Sequence, residues 1–199
     1  MELEISVSLE HLMRTGRWTT APVSADLVSD TLRVTAAESS DAWRTTSYGF
    51  VHDSEHALIA PFAVGSAIEV SFILDFTQQF DQAGLFLRSS DREWMKAGIE
   101  ISDGLPQLGA VVTHGVSDWS VAPVADWVGR AVTVRASRTG DAITVRARID
   151  DDNFRLVRLA YFAPDASIDG GLFCCAPTRT GLTVTFTDFR QTAADESLH

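Results

Sequence analysis

The 199 residues of this chain carry a formal net charge of −11 at neutral pH, from 27 acidic and 16 basic side chains. An acidic surface repels phosphate backbones and anionic lipids, so we expect no nucleic-acid partner and no membrane partner. Because 45% of the residues are hydrophobic, the chain can fill a large core without a metal or a disulfide.

The N-terminal segment has acidic residues where a signal peptide needs positive charge, and no apolar run follows them. No segment approaches the ~20 apolar residues of a membrane span. The two cysteines, Cys174 and Cys175, are adjacent, and adjacent residues of a strand point to opposite faces, so we expect two buried free thiols. These features predict a cytoplasmic protein.

Apolar and polar residues alternate along several segments, which predicts strands with one buried face. In the first, Leu3, Ile5, Val7 and Leu9 alternate with Glu and Ser. The others, in chain order, are residues 68–74, 132–136, 143–149 and 182–186. No comparable helical stripe is present.

Turn residues separate these strands at residues 102–106, 139–141 and 150–153. The acidic turn at 150–153 lacks the Gly and the distal Glu of an EF-hand loop, so we expect no calcium site there. Short strands separated in this way predict an all-β fold, a two-sheet antiparallel sandwich of the concanavalin A-like jelly-roll type. We place one domain at residues 1–190 and a flexible tail at 191–199.

Alternation also indicates a candidate groove on one sheet face. Gln82 lies on the outer face of one strand, and Trp94, Lys96 and Glu100 share the outer face of the next. An indole ring could stack on a sugar while charged groups and an amide fix its hydroxyls. The alternative is an ordinary solvated sheet face with cross-strand ion pairs.

A polar loop predicted at residues 115–120 follows this face. Asp118 and Trp119 would border the groove, and His114 would lie at its edge. Alternatively, Trp119 fills one end of the sandwich, Asp118 caps a turn and His114 has a structural role.

Carboxylate spacing gives little support for hydrolysis. A retaining glycosidase needs two carboxylates about 5–5.5 Å apart, but Glu100 is followed at the required spacing by Ser102. An acid on a neighbouring strand could still complete a pair. Asp53 and Glu55 have the spacing but are predicted to lie in a solvated loop.

Metal, nucleotide and serine hydrolase chemistry also find little support. His52 and His56 lack a helix that would bring them onto one side. The chain contains neither a Gly-rich phosphate loop nor a nucleophile elbow. We therefore predict no metal and no cofactor.

Four motifs in order, at residues 41–50, 79–85, 94–100 and 117–120, resemble the regulation-of-enolase-type family, a domain of unknown function. The resemblance covers roughly residues 10–190. It implies a concanavalin A-like jelly roll in which these motifs line the concave sheet, where relatives of the fold bind glycans. It implies no particular reaction.

We therefore predict a small-ligand-binding protein for a carbohydrate or a similar polyhydroxylated metabolite. The predicted site residues are Gln82, Trp94, Lys96, Glu100, His114, Asp118 and Trp119. One alternative is a hydrolase or isomerase acting on a glycan, with Glu100 as acid or base and His114 or Asp118 assisting. Another is a protein-interaction or regulatory module of carbon metabolism. Exposed sheet edges would also allow a homodimer.

Overall fold

The computed structural model describes residues 8–198, which form two large antiparallel sheets and one small sheet. The front sheet contains, in spatial order, β1 (Arg17–Trp18), β6 (His56–Pro61), β15 (Asp169–Cys175), β8 (Gln82–Ser90), β9 (Glu93–Ser102), β10 (Leu105–His114) and β11 (Val116–Pro123). The back sheet contains β14 (Arg155–Tyr161), β13 (Ala142–Ile149), β12 (Ala131–Thr139), β7 (Ser66–Ile73), β16 (Thr183–Ala193), β3 (Thr31–Thr35) and β2 (Ser24–Val28). The small sheet pairs β4 (Ala42–Arg44) with β5 (Val51–Asp53).

The main core lies between the front and back sheets. Strand alternation has the predicted phase, because Ala83, Leu85 and Leu87 on β8 point into this core. On β9, Met95, Ala97, Ile99 and Ile101 do the same. The predicted two-sheet sandwich of the jelly-roll type is confirmed.

Two predicted hairpin turns are present. Asp103 and Gly104 connect β9 to β10 with φ angles of 54° and 75°, the left-handed conformation that a tight two-residue hairpin turn requires. Gly140, with a φ of 57°, lies in the turn between β12 and β13. The acidic turn at residues 150–153 separates β13 from β14 as predicted.

A second apolar cluster lies on the other face of the front sheet, below the small sheet. Its members are Ala42, Trp43, Ala57, Ile59, Phe86, Trp94, Val111, Phe173 and Cys175. Cys174 points the opposite way, into the main core, so the two thiols are buried on opposite faces and are free, as predicted. Burial raises the pKa of Cys174 to about 12.

A helix replaces the end of the first predicted strand. Helix α1 (Leu9–Thr15) begins after Ser8, whose hydroxyl accepts a hydrogen bond from the His11 amide. Leu9 and Leu12, three residues apart, bury one face of this helix. The strand prediction is therefore wrong at Leu9, and residues 1–7 lie outside the described residues. Two buried positions are too few to form a helical pattern in the sequence.

The polar loop predicted at residues 115–120 is also wrong, because β11 runs through it as the edge strand of the front sheet. Gly115, with a φ of 79°, is the single residue between β10 and β11. Near the C-terminus, β16 continues to Ala193, and Asp195 pairs with Arg135 at 2.8 Å and with Arg146. The boundary predicted at residue 190 therefore falls inside a strand.

Within residues 8–198, we find no helix with both the length and the apolar character needed to cross a bilayer. A short 3₁₀ helix at Ala125–Trp127 joins β11 to β12.

Candidate functional site

A cavity of about 530 Å³ opens on the outer face of the front sheet. Its floor comes from β8 and β9, where Gln82 and Glu100 are direct cross-strand neighbours and Lys96 lies four residues before Glu100 on the same face of β9. The small sheet and the chain that connects its strands form one wall. This volume falls in the range of ~300–1,000 Å³ found for small-molecule sites. The lining residues come from six separate segments of the chain: 39–52, 79–82, 96–100, 102–103, 119 and 177–178.

Three polar side chains form a closed hydrogen-bonded triangle on the floor. The Lys96 ammonium group donates to Asp41 Oδ1 at 3.0 Å and to Gln82 Oε1 at 2.8 Å. The Gln82 amide nitrogen donates to the same Asp41 oxygen at 3.2 Å. Lys96 is only 5% exposed, so this is a buried ion pair with charge-assisted hydrogen bonds.

The protonation states of this ion pair support each other. Burial raises the pKa of Asp41, but the Lys96 charge and the hydrogen bonds at Oδ1 outweigh burial and hold it below its ordinary value of 3.8. Burial lowers the pKa of Lys96, yet the carboxylates of Asp41 and Glu100 raise it above its ordinary value of 10.5. Both groups are therefore charged across the neutral range.

Glu100 has a different environment. Burial raises its pKa above the ordinary value of 4.5, the Lys96 charge only partly offsets this, and the Asp41 carboxylate adds to it. Within the described residues, Glu100 has no hydrogen bond and no ion pair. Its carboxyl group lines the cavity without a protein partner.

We expect the substitution Glu100→Gln to raise the thermal unfolding midpoint at neutral pH. The folded state binds the Glu100 proton more tightly than the unfolded state, so stability falls as pH rises from 4.5 through the raised pKa. The increase in the unfolding midpoint that Gln gives should therefore be largest above the raised pKa of Glu100 and should disappear below pH 4.5. Calorimetry across this pH range, with Glu38→Gln on the surface as the matched control, measures it. A lower midpoint for Glu100→Gln at neutral pH would contradict this account.

Aromatic rings form the walls of the cavity. Trp43 contacts Tyr48 with ring centroids 5.6 Å apart, and Tyr48 stacks on Phe50 at 5.3 Å. Phe50 in turn contacts His52, and Trp119 of β11 meets Trp43 edge-on at 6.3 Å. Tyr48, Phe50 and Trp119 are exposed toward the cavity, which is costly for a surface without a binding role.

Three hydrogen bonds hold this wall in place. The Arg44 amide donates to the Ser117 hydroxyl of β11 at 2.9 Å, and Ser117 is hydrogen-bonded to Thr113 of β10 at 2.8 Å. The Trp43 indole N–H donates to the Thr46 carbonyl at 3.0 Å, which closes the loop between β4 and β5. The small sheet is therefore attached to the edge of the front sheet, and the aromatic wall has a defined position above the floor.

A buried ion pair fixes the opposite side. Asp81 is fully buried, and the Arg179 guanidinium group binds both of its carboxylate oxygens, at 3.0 and 2.6 Å. The Thr178 hydroxyl donates to the Gln79 carbonyl at 2.7 Å. These contacts connect the two loops that contribute Phe80 and Thr178 to the lining.

A family model described as "Protein of unknown function (DUF1349)" matches residues 18–194. The chain belongs to the DUF1349 family. Regulation of enolase protein 1 from Saccharomyces cerevisiae is 35% identical over 178 residues, which is 89% of each chain. The resemblance found in the sequence motifs is confirmed.

Solved structures agree with this assignment. The crystal structure of a functionally unknown protein from Saccharomyces cerevisiae superposes with a TM-score of 0.86 at 34% identity, covering 92% of this chain and 98% of that one. The GH43 protein BlXynB from Bacillus licheniformis gives a TM-score of 0.70 at 12% identity, covering 89% of this chain and 36% of that one. At that identity the likeness shows the jelly-roll fold alone.

In this DUF1349 chain, four of the seven predicted site residues line the cavity: Gln82, Lys96, Glu100 and Trp119. Trp94 does not. It lies on the predicted face but is only 1% exposed, because it stacks on Phe86 at 5.6 Å within the second apolar cluster. An open stacking platform at Trp94 is contradicted, and the indole instead supports the sheet beside the floor.

His114 and Asp118 also lie outside the cavity lining. His114 Nε2 is 3.1 Å from the Tyr161 carbonyl oxygen, and its Nδ1 is 3.3 Å from Glu93. Asp118 accepts a hydrogen bond from Arg158 at 3.0 Å. Both residues connect the edges of the two sheets, so their placement at the rim of the groove is wrong. The Asp118 side chain points away from the floor because β11 is a strand and Trp119 occupies the other face. His114 lies two residues after Val112 on β10 and so shares the face of the front sheet that points toward the main core.

Five cavity residues in and just after the first motif were not predicted as site residues from the sequence. Asp41, Trp43, Tyr48, Phe50 and His52 all line the cavity. Three aromatic side chains within eight residues, next to an acid, were the available signal.

Glu55 was predicted to be solvated, but it is buried and pairs with Arg88 at 3.2 Å. His56 is also buried, and its Nε2 accepts a hydrogen bond from the Ala37 amide at 3.0 Å. Residues 8–198 contain no group of three or more potential metal ligands.

Proposed function

We propose that this chain is a cytoplasmic protein that binds a carbohydrate or a similar polyhydroxylated metabolite in the cavity above β8 and β9. The observation that carries the proposal is the combination of a buried polar triangle with aromatic walls in one cavity. Hydroxyl groups need such fixed donors and acceptors, and the apolar faces of a sugar ring need aromatic surface. The free buried thiols and the acidic net charge support the cytoplasmic location and a partner other than nucleic acid or membrane.

The lining residues suggest a role for each part of the ligand. Glu100 and the second carboxylate oxygen of Asp41 have no donor from the described protein groups, so ligand hydroxyls could donate to them. Gln82 and Lys96 hold Asp41 in position through the triangle. Trp119 and the row of rings from Trp43 to Phe50 would cover the ring faces.

A thermal-shift screen with saccharides and sugar alcohols tests the proposal. A ligand at about 100 times its Kd stabilises the folded state by about 2.7 kcal/mol, which raises the midpoint by roughly 5–10 °C for a chain of this size. We expect Trp119→Ala to lose this shift, because the ring is 36% exposed and lines the cavity. Tyr161→Ala removes an exposed ring elsewhere and should keep the shift. An unchanged shift in Trp119→Ala would argue against this site.

The carboxyl pair Asp41 and Glu100 favours a second candidate, a glycan-active hydrolase or isomerase. Their environments move the two pKa values in opposite directions, as expected for an acid and a base that share one site. Glu100 would be the proton donor and Asp41 the carboxylate. Turnover of a glycoside panel that disappears in Glu100→Gln would support this function. Ligand binding without turnover would support the binding function and count against the enzymatic one.

A regulatory role in carbon metabolism is the third candidate, and the name of the yeast relative supports it. The exposed rings of Tyr48 and Phe50 could then contact a protein instead of a sugar. Co-purification with enolase that saccharides do not disrupt, and that is lost when both rings are replaced by Ala, would support it. Retained co-purification in that double variant would count against this surface.

A further inference from the structure

We infer that the cavity prefers a carbohydrate that carries a free ammonium group, an amino sugar, over the neutral, N-acetylated or anionic form of the same sugar. This inference rests on the proposed function and specifies the ligand class of the same site. It depends on which charges in the cavity are already paired within the protein and which are left for a ligand.

The ionised side chains of the lining carry an excess of negative charge. Lys96 brings the positive charge, and Asp41, Glu100 and Asp103 bring carboxylates. Asp41 neutralises Lys96 directly, with an oxygen 3.0 Å from the ammonium nitrogen. Glu100 and Asp103 form no ion pair within residues 8–198. His52, the other basic side chain of the lining, has its ring against Phe50.

Lys96 is a poor site for an anionic ligand. Its nitrogen already donates to Asp41 and to Gln82, and its side chain is almost fully buried below the cavity. An incoming phosphate or carboxylate would have to displace Asp41 while it faced the charge of Glu100. Like charges in a partly desolvated site repel strongly, so anionic sugars are disfavoured.

Glu100 would gain the most from a cationic ligand. Burial removes water from its carboxylate, and no protein donor in the described chain replaces that water. A hydroxyl group would donate a hydrogen bond to this carboxylate. An ammonium group would donate a hydrogen bond and would add the Coulomb attraction of an opposite charge, which is strong in a partly desolvated site.

The aromatic wall adds a second, independent reason. The rings of Trp43, Tyr48, Phe50 and Trp119 all line the same cavity as Glu100. The negative face of an aromatic ring attracts ammonium groups, most strongly where water is excluded. Rings and unpaired carboxylates together therefore form a surface that suits a cationic sugar.

Calorimetric titration with matched monosaccharide pairs tests the inference. The pairs are glucosamine with glucose, galactosamine with galactose, and mannosamine with mannose, each with its N-acetylated form and with glucose 6-phosphate as the anion. In at least one pair we expect the amine to bind about tenfold more tightly than the neutral sugar. We expect the N-acetylated form to lose that gain and the phosphate to bind most weakly.

Two variants locate the effect. In Glu100→Gln the ratio between amine and neutral sugar should fall to about twofold or less. Glu196→Gln removes one exposed charge beside the back sheet, away from the cavity, and should leave the ratio unchanged. Equal affinity for amine and neutral sugar would overturn the inference and leave the proposed function standing. An equal loss in both variants would overturn it as well, because the preference would then come from net charge. Binding of no sugar in the series would overturn both.

Discussion

Replacing Lys96 with methionine should lower the free energy of unfolding by about 3 kcal/mol. The substitution keeps most of the side-chain volume but leaves the Asp41 carboxylate without its counter-ion. Removing one partner of a buried pair typically costs about 3–5 kcal/mol. We expect the lower end of that range because the Asp41 side chain is 18% exposed and keeps some water. Urea denaturation monitored by tryptophan fluorescence gives the value.

The double variant Lys96→Met/Asp41→Asn provides the internal control for that experiment. Because no unpaired charge remains, it should recover most of the lost stability. The exposed pair Arg158 and Asp118 serves as the matched surface comparison, since Asp118 is 69% exposed and such pairs contribute about 0–1 kcal/mol. If Lys96→Met costs no more than Arg158→Ala, the pair on the cavity floor is not a buried ion pair.

The Lys96–Asp41 pair should also produce a plateau in the dependence of stability on pH, with one acidic end and one alkaline end. Asp41 stabilises the fold above pH 3.8, and this contribution is lost as pH falls through its lowered pKa. Lys96 stabilises the fold below pH 10.5, and this contribution is lost as pH rises through its raised pKa. Both slopes should be absent from the double variant.

Replacing Trp94 with alanine should destabilise the fold by about 3–5 kcal/mol, since it removes a large buried ring and leaves a cavity. Trp94 stacks on Phe86, which also contacts Phe173 with centroids 5.9 Å apart. The second apolar cluster lies between the front sheet and the small sheet, so its loss should also loosen the aromatic wall. The unfolding midpoint in urea, with an unchanged slope, measures the effect.

Trp119→Ala is the matched comparison, because it removes the same ring from the open side of the cavity. It should cost much less stability than Trp94→Ala while it abolishes the ligand-dependent shift. The reverse ranking, with Trp94→Ala near the wild-type midpoint, would mean that Trp94 is not enclosed as described.

Strand alternation was sufficient to predict much of the sandwich and part of the cavity floor. Residues two apart on β8 and β9 must share a face, so the outward position of Gln82, Lys96 and Glu100 followed from the sequence. The same rule placed Trp94 on the correct face. It could not show what covers that face, since the cover comes from the small sheet and from Phe173 of β15.

The contacts that complete the site connect residues far apart in the sequence. Asp41 and Lys96 are 55 positions apart, and no pattern in either segment indicates that they pair. Arg179 reaches Asp81 across 98 positions. For short segments the local signal was also ambiguous, as in α1 with two buried leucines and in β11, whose polar edge resembled a loop.

The central claim is that a saccharide binds beside the Lys96–Asp41–Gln82 triangle, and the tryptophan side chains report on it directly. Trp43 and Trp119 line the cavity, whereas Trp127 lies in the main core and Trp18 packs against it. In a ¹H–¹⁵N correlation spectrum, titration with a saccharide that stabilises the protein should shift the indole N–H signals of Trp43 and Trp119 and leave those of Trp18 and Trp127 in place. Shifts at Trp18 and Trp127 with unmoved Trp43 and Trp119 signals would contradict the account.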